Sequence, residues 1–318
     1  MKGMRQKSRT RMMQNLTGGQ NMNSHDGEKA KLYGGSGIGT FLAIIISSSM
    51  RKEWPMKAEK DNMVLPIGFG KDTNERDVVR DLAKLPHLLI GGMTGSGKSV
   101  FLHSLICSLA ESHSPKEVQF LLIDPKMVEF MVYERLPHLL EPVQYDTDKA
   151  IAAVQSVEAE MDKRLTIFHE NSVRDIASYN DSAVGEKMPR IIIVVDEVSD
   201  MIIGMEGEPN NEFVSTASRI GARGRAAGIH LVMATSRTDS IVLSEPMKAS
   251  IPARLAFKSY GEECSQAILD AEGAEKLRNS GDALLRDSAS PIRVHVPLIS
   301  DADVSKIVDS VCRRSNNG

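Results

Sequence analysis

Residues 87–100 read HLLIGGMTGSGKSV. A short apolar run that stops at glycine, followed by Gly92, Gly95, Gly97, Lys98 and Ser99, leaves few architectures open. The run predicts a strand over 87–91, and the residues after the loop predict a helix from about Lys98 to Ser112. The spacing Gly92-x-x-x-x-Gly97-Lys98-Ser99 is the phosphate-loop pattern. Each residue has a physical task. The glycines let successive N–H groups turn toward phosphate oxygens. The helix that follows presents further free N–H groups and the positive end of its dipole. Lys98 can reach the outer phosphates, and Ser99 can ligate Mg²⁺. Gly92, Met93, Thr94, Gly95, Ser96, Gly97, Lys98, Ser99 and Val100 are the expected cradle for ATP.

A phosphate loop alone binds; hydrolysis needs carboxylates. IIIVVDE (191–197) supplies them at the end of a continuous apolar run, the signature of a strand buried on both faces of a parallel sheet. Asp196 is the expected partner of Mg²⁺, and Glu197 the expected group to polarise the attacking water. Charge neutralisation in the transition state calls for an arginine. Arg219, Arg223 and Arg225 share one helix before IHLVMAT (229–235), and spacing alone does not separate them.

Elsewhere, VQFLLID (118–124), IHLVMAT, ARLAF (253–257), ALL (283–285) and IRVHV (292–296) read as strands. Helices are expected over 148–170, around 212–227, and from Ser300 or Asp301 to about Arg313. Alternating strands and helices predict an α/β fold with a mostly parallel sheet flanked by helices. Residues 1–36, rich in Lys/Arg, Gln, Asn, Gly and Met without an apolar period, are expected to be a disordered basic tail. Residues 37–62 are expected to be a short remnant of a larger piece, and 63–314 the folded domain.

Charge is uneven. The first 60 residues hold 11 Lys/Arg against 4 Asp/Glu, whereas the whole chain carries −3. The main body is therefore acidic, and bulk charge announces no nucleic-acid partner; any DNA contact must use a small basic surface. The longest apolar run, FLAIII (41–46), is far short of the roughly 20 residues a membrane span needs. Three widely separated cysteines, Cys107, Cys264 and Cys312, without a CxxC pair, read as reduced thiols, so a cytoplasmic location is expected. No His/Cys spacing fits a zinc site; His103 and His138 are expected to pack or hydrogen-bond.

Taken in order, VLPIGFGKD (64–72), DLAKLPHLLIGGMTGSGKSV (81–100), LLIDPKMVEF (121–130), YERLPHLL (133–140), EMDKR (160–164), VRDIASYN (173–180), IIIVVDEVSDMI (191–202), RGRAAGIHLVMATSR (223–237), IPARLAF (251–257) and ILDAEGAEKLRNSGDALL (268–285) resemble the motor domain of the FtsK/SpoIIIE DNA translocases. The resemblance covers about Met63 to Val311. It implies a RecA-like P-loop NTPase core, a homo-hexameric ring, and ATP-driven movement of double-stranded DNA, with a membrane-anchored partner possible in principle. Lys98, Ser99, Asp196 and Glu197 become the hydrolysis set, with Lys98, Glu197 and Arg225 as catalytic residues, Arg225 being the arginine finger. Thr235 is the implied sensor, and Gly281 and Asp282 match a GD pair near the nucleotide. Arg174, Arg237 and Lys248 are the basic residues in the segments matching the pore loops, where they would touch DNA phosphates. The family usually reads ATQRP where this chain has ATSRT (234–238), so Ser236 stands in place of a glutamine, and a hydroxyl cannot span the distance an amide does. The resemblance extends to neither the family's membrane segments nor its DNA-reading winged-helix module, so sequence-guided direction is not expected of these residues. Two other readings share the same core: a protein-translocating ATPase of the type VII secretion kind, and a nucleotide-gated assembly subunit with weak hydrolysis. Chromosome segregation, sporulation, conjugative transfer and phage or plasmid traffic all remain open as the occasion.

Overall fold

A computed structural model of the chain describes residues 63–182, 185–203 and 211–316. The basic tail and the short remnant expected before residue 63 lie outside the described residues.

The apolar runs form strands whose alternate residues feed two cores. In β3 (Leu88–Gly91), β4 (Val118–Ile123), β5 (Arg190–Val195) and β6 (Ile229–Thr235), side chains point to opposite faces with a period of two. Leu88, Ile90, Leu122, Ile192, Val194 and Val232 enter one cluster; Leu89, Leu121, Ile193, Val195, Leu231 and Met233 enter the other. A strand with no polar face can only sit between two helical layers, and burying each such side chain contributes about 1.5–3 kcal/mol. One layer holds α1 (Lys98–Ser112) and α8 (Asp301–Asn316). The other holds α2 (Thr147–Glu170), α4 (Ser199–Ile202), α5 (Asn211–Ala227), α6 (Glu245–Ser250) and α7 (Glu262–Leu269). The short α3 (Ile176–Asp181) packs through Ile176 and Tyr179 on Phe168 of α2.

Among the described residues the sheet has nine strands in the order β2-β1-β9-β8-β7-β3-β6-β5-β4. The strands β7 (Ala253–Phe257), β3, β6, β5 and β4 run parallel, as expected. On the other side of β7, β8 (Asp282–Arg286), β9 (Ile292–His295), β1 (Pro66–Asp72) and β2 (Asp77–Asp81) join antiparallel. The hairpin β1–β2 was not legible as strands. Its proline, its glycines and a bulge between Gly68 and Gly70 break the alternation that marks a strand.

Helix ends follow local rules. Asp146 caps α2 by accepting from Lys149 N at 3.0 Å. Ser300 caps α8, its hydroxyl accepting from Asp303 N at 3.2 Å and donating to the Asp303 carboxylate at 2.6 Å. In contrast, α1 starts at Lys98 with Gly97 as its cap residue and no side-chain cap bond, so its first N–H groups stay available. No helix among the described residues is long and apolar enough to cross a membrane.

Candidate nucleotide site

Four parallel strands deliver the chemistry to one edge. Gly91 of β3 lies opposite Thr235 of β6, and Val195 of β5 lies opposite Ile123 of β4. The loop after β3, Asp196–Glu197 after β5, Ser236 after β6 and Asp124–Lys126 after β4 therefore converge at the carboxyl ends of the sheet, where ligands of α/β folds bind.

The phosphate loop holds its shape by backbone geometry. Gly92, Gly95 and Gly97 all have positive φ. At Gly97 a Cβ would stand 3.0 Å from the Phe257 ring, so the turn needs glycine for space as well as for φ +123°. Gly281 closes over the loop from β8, its N–H donating to Ser96 O at 3.4 Å. It has φ +92°, and a Cβ there would lie 2.4 Å from Val296 O.

Between these pieces is a cavity of about 700 Å³. Thr94, Gly95, Gly97, Lys98, Ser99, Val100, Asp196, Glu197 and Gly281, all singled out from the sequence, line it. Gly92, Met93 and Ser96 support the loop from behind: the Lys98 ammonium donates to Gly92 O at 2.7 Å and Met93 O at 3.1 Å, and Ser96 is buried. Burial pulls the Lys98 pKa down, against the opposing pull of Glu197 and Asp196. One end of the cavity is apolar, with Val100, Val296, Leu298 and Ile299, a wall against which a flat base can pack.

Ser99 Oγ donates to Asp196 Oδ1 at 3.4 Å. Burial, with Glu129, Asp124 and Glu197 nearby, pushes the Asp196 carboxyl up to about 6. A hydroxyl and crowded carboxylate oxygens form an all-oxygen set that suits a hard divalent cation, and such a cation would relieve this crowding.

Glu197 is only 3% exposed and has many donors. Ser236 N donates to Oε1 at 3.1 Å and to Oε2 at 3.0 Å. The Ser236 hydroxyl donates to Oε2 at 2.6 Å, the Ser199 hydroxyl to Oε1 at 2.8 Å, and Lys126 Nζ to Oε2 at 3.3 Å. Burial alone would raise this carboxyl, but the hydroxyls of Ser236, Thr235 and Ser199 and the Lys126 charge hold it below the usual range. The short Ser236 side chain thus has a partner within its own reach, the carboxylate beside it. Thr235 is fully buried, its Oγ1 accepting from Arg237 N at 3.0 Å.

Other expected residues lie elsewhere. Asp282 is not in the cavity; its carboxylate accepts from Arg293 Nε at 2.9 Å and Arg278 N at 3.0 Å and faces a neighbouring cleft. Arg225 lies at the amino end of β6, about 20 Å of strand away from the cavity. Its helix neighbours are tied to α2, Arg219 to Glu158 and Arg223 to Asp162. Arg225 is exposed and has no ion pair among the described residues. Arg174 also lies toward that amino end, because Ile176 of α3 packs beside Gly228 at the start of β6. Arg237 is at the opposite edge, paired with Asp239 at 3.1 Å. The structure does not bring these two arginines together. Lys248 is engaged within the chain: its side chain is 12% exposed and bridges Glu245 at 2.7 Å and Asp270 at 3.2 Å, in a network with Arg254 and Arg286. It braces α6 against β7.

Lys126 and Glu129, which sequence reasoning passed over, also line the cavity, as does His103. His103 Nδ1 bonds Tyr133 Oη at 2.8 Å and its Nε2 meets Glu129 at 3.3 Å, so it does hydrogen-bond as expected. The available signal was positional: LLIDPK ends a buried strand, and its loop must open on the same edge as the loops after β3 and β5.

With the geometry in place, the class is that of the P-loop ATPases. The FtsK/SpoIIIE family model matches residues 50–240, and the chain belongs to that family. It is 44% identical over 247 residues to DNA translocase FtsK of Caldanaerobacter subterraneus subsp. tengcongensis, covering 77% of this chain and 34% of that protein. It is 40% identical over 258 residues to DNA translocase FtsK of Helicobacter pylori, covering 80% of this chain and 30% of that protein. The chain thus spans about a third of the length of the curated relatives it matches. Among solved structures, the pCW3 conjugation coupling protein TcpA, determined with ATPγS, superposes with a TM-score of 0.70 at 25% identity, over 81% of this chain and 74% of that one. The cytoplasmic domain of the type VII secretion ATPase EccC of Thermomonospora curvata has the same fold, with a TM-score of 0.67 at 24% identity, over 78% of this chain and 31% of that one.

Proposed function

We propose that residues 63–314 form an ATPase domain that binds ATP with Mg²⁺ in the 700 Å³ cavity and couples its hydrolysis to the movement of double-stranded DNA. The observation that supports this reading is the meeting of Lys98, Ser99, Asp196 and Glu197 on one cavity, in a chain of the FtsK/SpoIIIE family. Lys98 and the free N–H groups of α1 bind the phosphates. Ser99 and Asp196 hold Mg²⁺, which neutralises phosphate charge when bound. Glu197, kept ionised by its donors, accepts a hydrogen bond from the attacking water and orients it. Val296, Leu298 and Ile299 pack against the base.

Arg225 is the arginine finger in this reading. Because it stands a strand's length from its own cavity, it serves a neighbouring copy, which calls for a homo-oligomeric ring, a hexamer by family resemblance. Arg174 and Arg237 contact DNA phosphates, and the domain works in the cytoplasm. The deciding experiment is ATP turnover of the purified chain with and without linear double-stranded DNA, beside Lys98→Ala and Glu197→Gln. Stimulation by DNA that both substitutions remove supports the reading. Turnover that DNA leaves unchanged at every salt concentration overturns the DNA part and turns the search to a protein substrate.

A further inference from the structure

Lys126 is the cation that neither the phosphate-loop pattern nor the carboxylate pair accounts for. It follows β4 by three residues and lines the cavity together with Lys98 and Glu197. Its charge is felt by Lys98, Glu129, Asp196 and Glu197 alike. Those groups differ from it in one respect: Lys98, Asp196 and Glu197 are buried, whereas the Lys126 side chain is 47% exposed.

A carboxylate offers about four acceptor positions. Glu197 has them filled by Ser236 N, the hydroxyls of Ser236 and Ser199, and Lys126, while the nearby Thr235 hydroxyl donates to Arg237 O at 3.1 Å. A base so saturated has no lone pair left for a water. One donor must leave before it can act, and the donors are not equal. The amide is fixed in the backbone. The two hydroxyls donate at 2.6 and 2.8 Å, from Ser236 directly after β6 and from the buried Ser199 at the start of α4. Lys126 reaches 3.3 Å, on a flexible stem, as a half-exposed ion pair, which is a weak hold.

We propose that Lys126 reads the third phosphate: it pairs with Glu197 until a γ-phosphate enters the cavity, then transfers to that phosphate and leaves an acceptor position of Glu197 open to water. The proposal rests on the nucleotide reading given above. The phosphate is the better partner because it carries more charge and accepts several hydrogen bonds at once. Ser236 and Ser199 keep Glu197 in place when the lysine leaves. ADP, which lacks the group, would leave the Lys126–Glu197 pair intact, so the pair distinguishes triphosphate from diphosphate.

The test measures binding of ATPγS and of ADP, each with Mg²⁺, to the wild-type chain, Lys126→Met and Lys126→Arg by titration calorimetry, with melting curves to check folding. The expected result is a loss of about tenfold or more in ATPγS affinity for Lys126→Met, ADP affinity within twofold, and substantial recovery in Lys126→Arg. Equal weakening of both nucleotides, or no weakening of either, overturns the proposal while leaving the nucleotide reading intact. Failure of the wild-type chain to bind either nucleotide overturns that reading instead. Lys126→Met is close in length and apolar; should it melt early, the comparison passes to Lys126→Gln, read by the same ratio.

Discussion

The two ends of the parallel strands handle buried polar groups in opposite ways. At the carboxyl ends, Lys98, Asp196 and Glu197 sit together inside the protein, and Asp196 is pushed up to about 6 by burial and neighbouring carboxylates. At the amino ends, His87 and His230 are equally buried, but burial drives their pKa values down to about 3 and about 4, so both stay neutral. His87 Nδ1 accepts from Leu231 N at 2.9 Å, and His230 Nδ1 bonds Pro86 O at 2.9 Å. The amino end spends its polar groups on holding strands together. The carboxyl end keeps its charges, and that retained charge is what a phosphate and a divalent cation can use. A buried cluster of charges of this kind costs stability, and it marks a site for that reason.

The largest test of this contrast is Glu197→Gln. It keeps the shape and most hydrogen bonds but removes the base, so turnover should fall at least about a hundredfold with nucleotide affinity retained, as single-turnover and binding assays would show. Ser236→Ala comes next. It removes the shortest bond to Glu197, and kcat should fall about tenfold with KM little changed. In the Glu197→Gln background it should add almost nothing, because Ser236 acts through that carboxylate. Ser236→Thr should recover most of the loss.

The amino end makes a prediction in pH. Unfolded histidine titrates near 6.5, whereas the folded values are about 3 and about 4. Below pH 6.5 the unfolded chain takes up protons that the folded chain refuses, so stability falls as pH drops. Each histidine contributes roughly 1.4 kcal/mol per pH unit in that window. Urea midpoints from pH 7 to 5 should show this slope, and His230→Leu should flatten it by one proton. The smallest effects are expected at the surface. Arg237→Ala and Arg174→Ala should each weaken DNA binding a few-fold and lower the salt slope by about one. Lys248→Ala should leave DNA affinity unchanged and lower the melting temperature, since it breaks the bridge from Glu245 to Asp270.

Much of the carboxyl end was legible in the chain because its information is local. IIIVVDE announces a buried strand and the two carboxylates that follow it, and GGMTGSGKS announces a loop and its helix. The partners of those groups were not legible. That Ser236 would reach Glu197 depends on β6 lying beside β5, and that Lys126 would do so depends on β4 flanking β5 on the other side. Strand order is a long-range property that periodicity does not record. The histidine pair was hidden for the same reason: positions 87 and 230 meet only because β3 and β6 are neighbours. The partners of Lys248 were hidden too, because a lysine in a polar segment carries no sign of the Asp270 that captures it 22 residues later.

The phosphate loop is bolted to the end of β7 and to the β8–β9 hairpin outside the parallel set. Met93 N donates to Lys258 O at 2.8 Å just beyond β7, Gly281 N to Ser96 O, and Val296 N to Gly281 O at 2.8 Å beyond β9. A ligand gripped by the loop is therefore linked to the integrity of the β8–β9 hairpin. Linkage is reciprocal. If fraying of that hairpin weakens the loop's hold on its ligand by some factor, bound ligand makes the hairpin harder to fray by the same factor.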